Sequence, residues 1–193
     1  FDCIVGSSDS QDILNISKEF GVDYVVQRPD EMASDQTAKL PAIQHCVRTI
    51  EEITQCEYDT IVDLDATSPL RIIDDIHQSI EMLENSLDTN NLITGSPSRR
   101  SPYFNLVELN EKGFVRRSKN LDNPIIRRQD SPKCFDMNAS IYLWKRKAFY
   151  EAKTVITDET RLFVMPEERS IDIDSELDFE IVKLLMKNKE LTS

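Results

Sequence analysis

Apolar and polar positions alternate along this chain in short blocks, and the blocks switch between two periods. A brief apolar run, Cys3-Ile4-Val5, enters the polar turn Gly6-Ser7-Ser8-Asp9, after which Ile13, Ile16 and Phe20 recur at helical spacing. That predicts a strand, then a helix capped by Asp9 or Ser10 and stopped by Gly21. Tyr24-Val25-Val26 predicts the next strand, broken at Arg28-Pro29 and followed by a long loop. From Leu40, the positions Leu40, Ile43, Val47, Ile50 and Ile53 trace one helical face, with Pro41 tolerated in the first turn. Thr60-Ile61-Val62-Asp63-Leu64 reads as a strand entering the polar loop Asp65-Ala66-Thr67-Ser68-Pro69, and Ile73, Ile76, Ile80, Leu83 and Leu87 mark another amphipathic helix. Residues 91–96 predict a strand, 104–115 a hairpin turning at Asn110–Gly113, and Ala139–Trp144 and Leu162–Met165 further strands. Leu177, Ile181, Leu184 and Leu185 close the chain as a helix.

Alternating strands and helices predict an α/β fold: a doubly wound, mostly parallel sheet that keeps its ligands at the C-terminal strand ends. The expected organisation is a single domain over residues 1–193, with residues 97–135 protruding as a small antiparallel element.

Composition narrows the function. With 193 residues, 39% of them hydrophobic, the chain is long enough for one substantial core. No apolar run approaches the roughly 18 residues a membrane span needs, and the start, Phe1-Asp2-Cys3, lacks the pattern of a signal peptide; a soluble, cytoplasmic protein is expected. Four cysteines without a C-x-x-C pair argue against a zinc knuckle and suit a reducing compartment. The four glycines (Gly6, Gly21, Gly95, Gly113) are too scattered to write a Rossmann fingerprint or a P-loop. A net charge of −12 makes nucleic acid a poor partner. Charge is uneven, however: between Gly95 and Phe135, Arg99, Arg100, Lys112, Arg116, Arg117, Lys119, Arg127, Arg128 and Lys133 outnumber Glu108, Glu111, Asp122 and Asp130. That stretch either faces solvent or meets an anionic ligand or an acidic partner subunit.

Catalytic options are few. Only His45 and His77 are present, each on the flank of a predicted helix, so a Ser-His-Asp triad is hard to build. Carboxylate pairs remain. In an extended stretch, Asp172 and Asp174 would point to the same side, as a hard cation such as Mg²⁺ requires; alternatively Asp174 caps the last helix through Asp174-Ser175-Glu176-Leu177. Asp63 and Asp65, at the end of a predicted parallel strand, could hold a metal, bind a substrate hydroxyl or cap the following helix, and spacing leaves these open.

Four segments, in order, are specific: Arg28-Pro29-Asp30-Glu31-Met32-Ala33-Ser34-Asp35, Asp65-Ala66-Thr67-Ser68-Pro69-Leu70-Arg71, Met137-Asn138-Ala139-Ser140-Ile141-Tyr142, and Pro166-Glu167-Glu168-Arg169-Ser170-Ile171-Asp172-Ile173-Asp174-Ser175-Glu176-Leu177-Asp178-Phe179. Together they resemble the acylneuraminate cytidylyltransferases, the CMP-sialic acid synthetase family. The resemblance implies that CTP and a nonulosonic, nine-carbon 2-keto sugar acid give CMP-sugar and pyrophosphate with Mg²⁺, on a nucleotidyltransferase-like α/β domain with a dimerisation element, hence a homodimer. By the same resemblance, Asp172 and Asp174 are the catalytic, metal-binding pair and Arg28 recognises cytosine. Lys39 falls in the region of a nucleotide-contacting serine, while Asn138 and Tyr142 contact the sugar; Arg128 resembles a sugar-side or partner-subunit arginine, the alternative being a surface salt bridge. Asp65 and Ala66 stand where the family commonly has glutamine and proline, and Asp136 where some members have arginine, so the identity of the sugar is open. The synthetase for 3-deoxy-manno-octulosonate is a near relative, but Arg169-Ser170-Ile171-Asp172-Ile173-Asp174 favours nine-carbon acids. The family's first strand and its Gly-rich, Lys/Arg-bearing triphosphate loop have no counterpart in these residues. The first strand is therefore expected to be missing and the isolated chain to turn over little; the other reading is a non-catalytic sugar-acid-binding or dimerising module.

Overall fold

The computed structural model describes residues 1–33, 38–121 and 127–190; Ser34, Asp35 and residues 122–126 of the basic stretch lie outside them. Strand β1 (Val5–Ser8), helix α1 (Gln11–Glu19) and strand β2 (Tyr24–Gln27) form a parallel β-α-β unit, with Val5 opposite Tyr24 and Ser8 opposite Gln27. Helix α1 approaches β1 closely because Gly6 has no side chain: a Cβ there would stand 2.8 Å from the Cβ of Ser17. Of the apolar positions on α1 only Leu14 is buried; Ile13, Ile16 and Phe20, the positions that carried the helical period, are exposed.

Helix α2 (Lys39–Thr54) leads to β3 (Thr60–Leu64), α3 (Ile73–Glu84), β4 (Asn91–Pro97) and the hairpin of β5 (Val107–Leu109) and β6 (Val115–Arg117). Strand β7 (Phe135–Lys145), the short helix α4 (Arg146–Glu151), β8 (Thr160–Val164) and helix α5 (Glu176–Glu190) complete the chain. Strands β3, β7, β4 and β8 form one sheet in that order. Within it β4 and β8 are parallel, whereas β7 runs antiparallel to both of its neighbours, β3 and β4. The sheet is thus mixed: β3, β4 and β8 share one direction, and the long β7 is threaded between two of them the other way.

Alternation along β7 builds a core on each face. Tyr142 and Trp144 pack with Leu40, Ile61, Ile93 and Phe149 beneath α2 and α4, while Ile141 and Leu143 pack with Leu83, Leu92 and Met165 beneath α3. Helices on both faces of the sheet are what doubly wound means physically. The β5–β6 hairpin stands apart, leaving Leu109, Phe114 and Val115 exposed. Helix α5 buries Val182 and exposes Leu177 and Leu184. No strand of the β1–β2 pair is bonded to the larger sheet among the described residues. Helix α2 spans the junction, with its Cys46 thiol within electrostatic reach of Arg28 on one side and Asp63 on the other. All four cysteines are free thiols, and no described helix is long and apolar enough to cross a membrane.

Candidate active site

The chain leaves β3 through Asp63 and Asp65, and Lys39, the first residue of α2, is brought against both. Its Nζ lies 2.9 Å from Asp63 Oδ2 and 2.7 Å from Asp65 Oδ2, and sits 4.1 Å from the ring centroid of Tyr142. An ammonium has three N–H donors, so two carboxylates and an aromatic face occupy it. The two acids respond in opposite senses. Burial pushes the Asp63 carboxyl above its usual range despite Lys39. At Asp65 burial is outweighed by the hydrogen bond and charge of Lys39 and by Thr67, and its carboxyl is held low. Burial also raises the Tyr142 phenol, so it remains a hydroxyl donor. The loop itself is gathered by Arg71, whose Nη1 lies 2.6 Å from the carbonyl of Asp65, 2.8 Å from that of Ser68 and 3.2 Å from that of Ser140 in β7.

Strand β7 is irregular where it meets this loop. Its register with β4 slips between Ile93, opposite Tyr142, and Gly95, opposite Met137, leaving residues 138–141 to bulge. Ala139 takes a φ of 51° within the bulge, and a Cβ on Gly95 would stand 2.7 Å from the carbonyl oxygen of Asp136. Asn138 fills the bulge. It is 3% exposed; its Oδ1 accepts from Thr94 Oγ1 at 2.7 Å and from the Ser140 amide at 3.2 Å, and its Nδ2 donates to Ser170 Oγ at 2.9 Å. Its carbonyl accepts from Ser68 Oγ at 3.0 Å. The same Ser68 hydroxyl lies 3.4 Å from Asp172 Oδ1, and the Ile173 amide donates to the Thr67 carbonyl at 3.0 Å. Residues 170–174 are therefore laid across the loop that follows β3, and Asp172, Asp65, Lys39 and Tyr142 are gathered at one end of the sheet.

Asp174 is exposed and does not cap α5: Ser175 precedes the helix, accepting from the Asp178 amide at 3.3 Å and donating to the Asp178 carboxylate at 2.6 Å. Arg28 follows β2, donating from Nη2 to the Ser7 carbonyl at 3.2 Å, and its buried Nε–H has no hydrogen-bond partner among the described residues. Arg128 opens a short 3-10 turn, Arg128–Asp130, ahead of β7 and donates to the carbonyls of Ser98 at 3.2 Å and Arg99 at 2.9 Å. Asp136 accepts from Ser98 Oγ at 2.7 Å nearby.

The cytidylyltransferase family profile matches residues 1–191, nearly the whole chain. The chain belongs to the cytidylyltransferase family. It is 43% identical over 192 residues to the CMP-N,N'-diacetyllegionaminic acid synthase of Campylobacter jejuni, covering 100% of this chain and 80% of that protein. Identity to the post-translational flagellin modification protein B of Campylobacter coli is also 43%, over 99% of this chain and 80% of that protein. In fold it resembles a CMP:2-keto-3-deoxy-manno-octonic acid synthetase solved with CTP, at a TM-score of 0.61 and 13% identity, over 96% of this chain and 80% of that one.

For a cytidylyltransferase the donor set fits a divalent cation. Among the described residues, Asp172 offers a half-buried carboxylate met by the long contact from Ser68, and Asp174 an exposed one that helix capping does not use. Among the described residues no third His, Cys, Asp or Glu joins them, so the remaining oxygens would have to come from water and phosphate. Residues that sequence reasoning gave no role also shape the cytidylyltransferase site. Arg169 forks onto the buried Asp75 of α3, Nε to Oδ2 at 2.9 Å and Nη2 to Oδ1 at 2.8 Å, anchoring the turn ahead of Asp172. Thr94, Ser68 and Ser170 join it; Ser68 and Ser170 lie inside motifs already singled out, whereas nothing in the sequence around Thr94 marks it.

Proposed function

We propose that this cytidylyltransferase activates a nonulosonic sugar acid: the anomeric hydroxyl attacks the α-phosphorus of CTP in line, and CMP-sugar and pyrophosphate are formed. The observation that carries this reading is the convergence of Asp172 on the loop that holds Asp65, in a chain 43% identical to a CMP-N,N'-diacetyllegionaminic acid synthase. Asp172 and Asp174 would hold Mg²⁺, which when bound supplies charge neutralisation at the phosphate oxygens. Asp65, kept ionised by Lys39, accepts a hydrogen bond from a sugar hydroxyl or amide, and the protonated Tyr142 hydroxyl donates one. Lys39 acts through Asp65 and Asp63 rather than as a free cation for phosphate, while Arg28, just after β2, is the residue assigned to cytosine. Pyrophosphate release by the complete protein, with CTP and either nine-carbon acids or 3-deoxy-manno-octulosonate, tests this. Turnover confined to nine-carbon acids is expected, with Asp172→Asn and Asp174→Asn each losing at least about a hundredfold in rate; near-parental rates at limiting Mg²⁺ in either variant would remove that residue from the site.

The exposed Leu109, Phe114 and Val115 on a hairpin flanked by Arg116 and Arg117 support a homodimer built on residues 97–135. Basic side chains there would approach the acidic remainder of a second copy. Sedimentation at low and high salt, repeated with Arg116→Glu and Arg117→Glu together, should show an association that weakens in both cases. A dimer indifferent to both changes would return the hairpin to a solvated surface.

A further inference from the structure

The acids assigned to the reaction stand on separate segments, one following β3 and the other following β8, and both segments are bonded to the same four residues of β7. Asp65 is tied through its amide to the Ser140 carbonyl at 3.3 Å, and Asp172 through Ser68 to the Asn138 carbonyl. Asn138 adds a relay of fixed direction: Nδ2 donates to Ser170 Oγ at 2.9 Å, and Ser170 Oγ donates in turn to the Pro166 carbonyl at 2.8 Å. Its Oδ1 is taken by Thr94 and by Ser140. Its second N–H is directed at Met165 Sδ, 3.4 Å away. A primary amide with both donors and its oxygen engaged inside the protein has no capacity left for a sugar hydroxyl.

We propose that the β7 bulge is the positioning element of this site: Asn138 is a positioning residue that sets Asp172 through Ser170, and it does not touch the sugar. The proposal rests on the reading of Asp172 as the acid on the phosphate side, and it assigns Asn138 a different job from the one its motif implied. The bulge exists because Ala139 adopts a left-handed conformation and because Gly95 leaves room for the Asp136 carbonyl. Were the strand regular, alternation would turn Asn138 away from Ser170 and the segment carrying Asp172 would lose its anchor.

Two readouts separate positioning from plain stability. Hydrogen exchange at the Ile173 amide, which the Thr67 carbonyl holds, reports the placement of the segment without any turnover. Mn²⁺ titration followed by electron paramagnetic resonance reports the acids. Ser170→Ala and Asn138→Asp, the second of which places an acceptor against a hydroxyl already committed to Pro166, should each speed Ile173 exchange and weaken Mn²⁺ about tenfold. Ser170→Thr keeps the hydroxyl and should restore both. Ser79→Ala removes a fully buried serine hydroxyl on α3, away from the site, and should move the melting temperature without moving Ile173. Parental exchange at Ile173 in Ser170→Ala and Asn138→Asp, or an equal effect from Ser79→Ala, would overturn the proposal, as would an Asn138→Asp variant changed only in its KM for the sugar. If the parent protein bound no Mn²⁺, the metal reading of Asp172 and Asp174 would fail, and the exchange data would still decide the role of the bulge.

Discussion

The β1-α1-β2 unit and the four-stranded sheet are made of the same elements, yet they are held together differently. In the unit, hydrogen bonds do most of the work: its two strands are in register over their length, but α1 buries Leu14 and leaves Ile13, Ile16 and Phe20 in solvent. In the sheet, packing dominates, with Leu83, Leu92, Ile141, Leu143, Phe149 and Met165 fully enclosed on its two faces. The lesson is that a helical period reports a face able to be buried, whereas stability depends on whether anything covers it. The candidate acids draw mainly on the packed sheet, and only Arg28 stands on the lightly covered unit.

Removing Trp144 should break this comparison most severely. It is 1% exposed, stacks on Tyr142 at a centroid separation of 6.0 Å and meets Phe149 at 5.6 Å with the rings tilted by 58°. Trp144→Ala is expected to cost about 3–5 kcal/mol in urea unfolding. Leu14→Ala should mainly speed exchange of the β1 and β2 amides, leaving those of β4 and β7 protected; equal deprotection of both regions would show that they unfold as one unit.

Lys39→Met is expected to rank next, costing about 1–3 kcal/mol at neutral pH because it removes the ion-pair partner of the buried Asp63 carboxylate and the hydrogen bond to Asp65. Its pH dependence carries a definite sign. Asp65 has a depressed carboxyl, so the stability it contributes is present above the unfolded carboxylate pKa and lost as pH falls through the folded one. Asp63 has a raised carboxyl, so its ionisation costs stability as pH rises toward the folded value. Without Lys39 both acids lose their ion-pair partner and keep only the more distant charge of Arg71, and the deficit of the variant should therefore shrink as acid protonates them. Chemical unfolding of parent and variant across the acid range checks this; a deficit constant with pH would assign the loss to packing against Tyr142 instead.

The smallest effect is expected on the uncovered helix. Ile13→Lys together with Ile16→Glu should change stability by no more than about 0.5 kcal/mol per site, because both residues are more than half exposed. A larger loss in thermal unfolding would mean that this face has a partner in solution.

Much of the fold was legible in the periodicities, and the misreadings have local causes. Strand β7 begins at Phe135 rather than Ala139 because the bulge interrupts the alternation on which strand reading depends. Helix α4, only six residues long, is too short to show a period. Helix α3 ends at Glu84, and Leu87, which extends the apolar pattern, lies in solvent. The direction of β7 was illegible because it is decided by the route of residues 98–134, which no period records. At the site, the acids were legible through their motifs. The clamp on Lys39 was not, since Lys39 and Asp63 meet only when α2 packs over the end of β3. Thr94 was hidden for a similar reason: its partner Asn138 lies 44 residues further along the chain.

The threading of β7 between β3 and β4 also constrains how the chain is made. Both earlier strands use β7 as a partner, so neither side of that seam closes until about residue 145 has left the ribosome. Until then β3 and β4 present open edges, and the loop bearing Asp65 has no Ser140 carbonyl to hold it. Loop-closure entropy over these distances makes the step slow compared with forming the β1-α1-β2 unit. The nascent protein is therefore expected to hold the β1-α1-β2 unit early and to acquire sheet and active site together, in one late event.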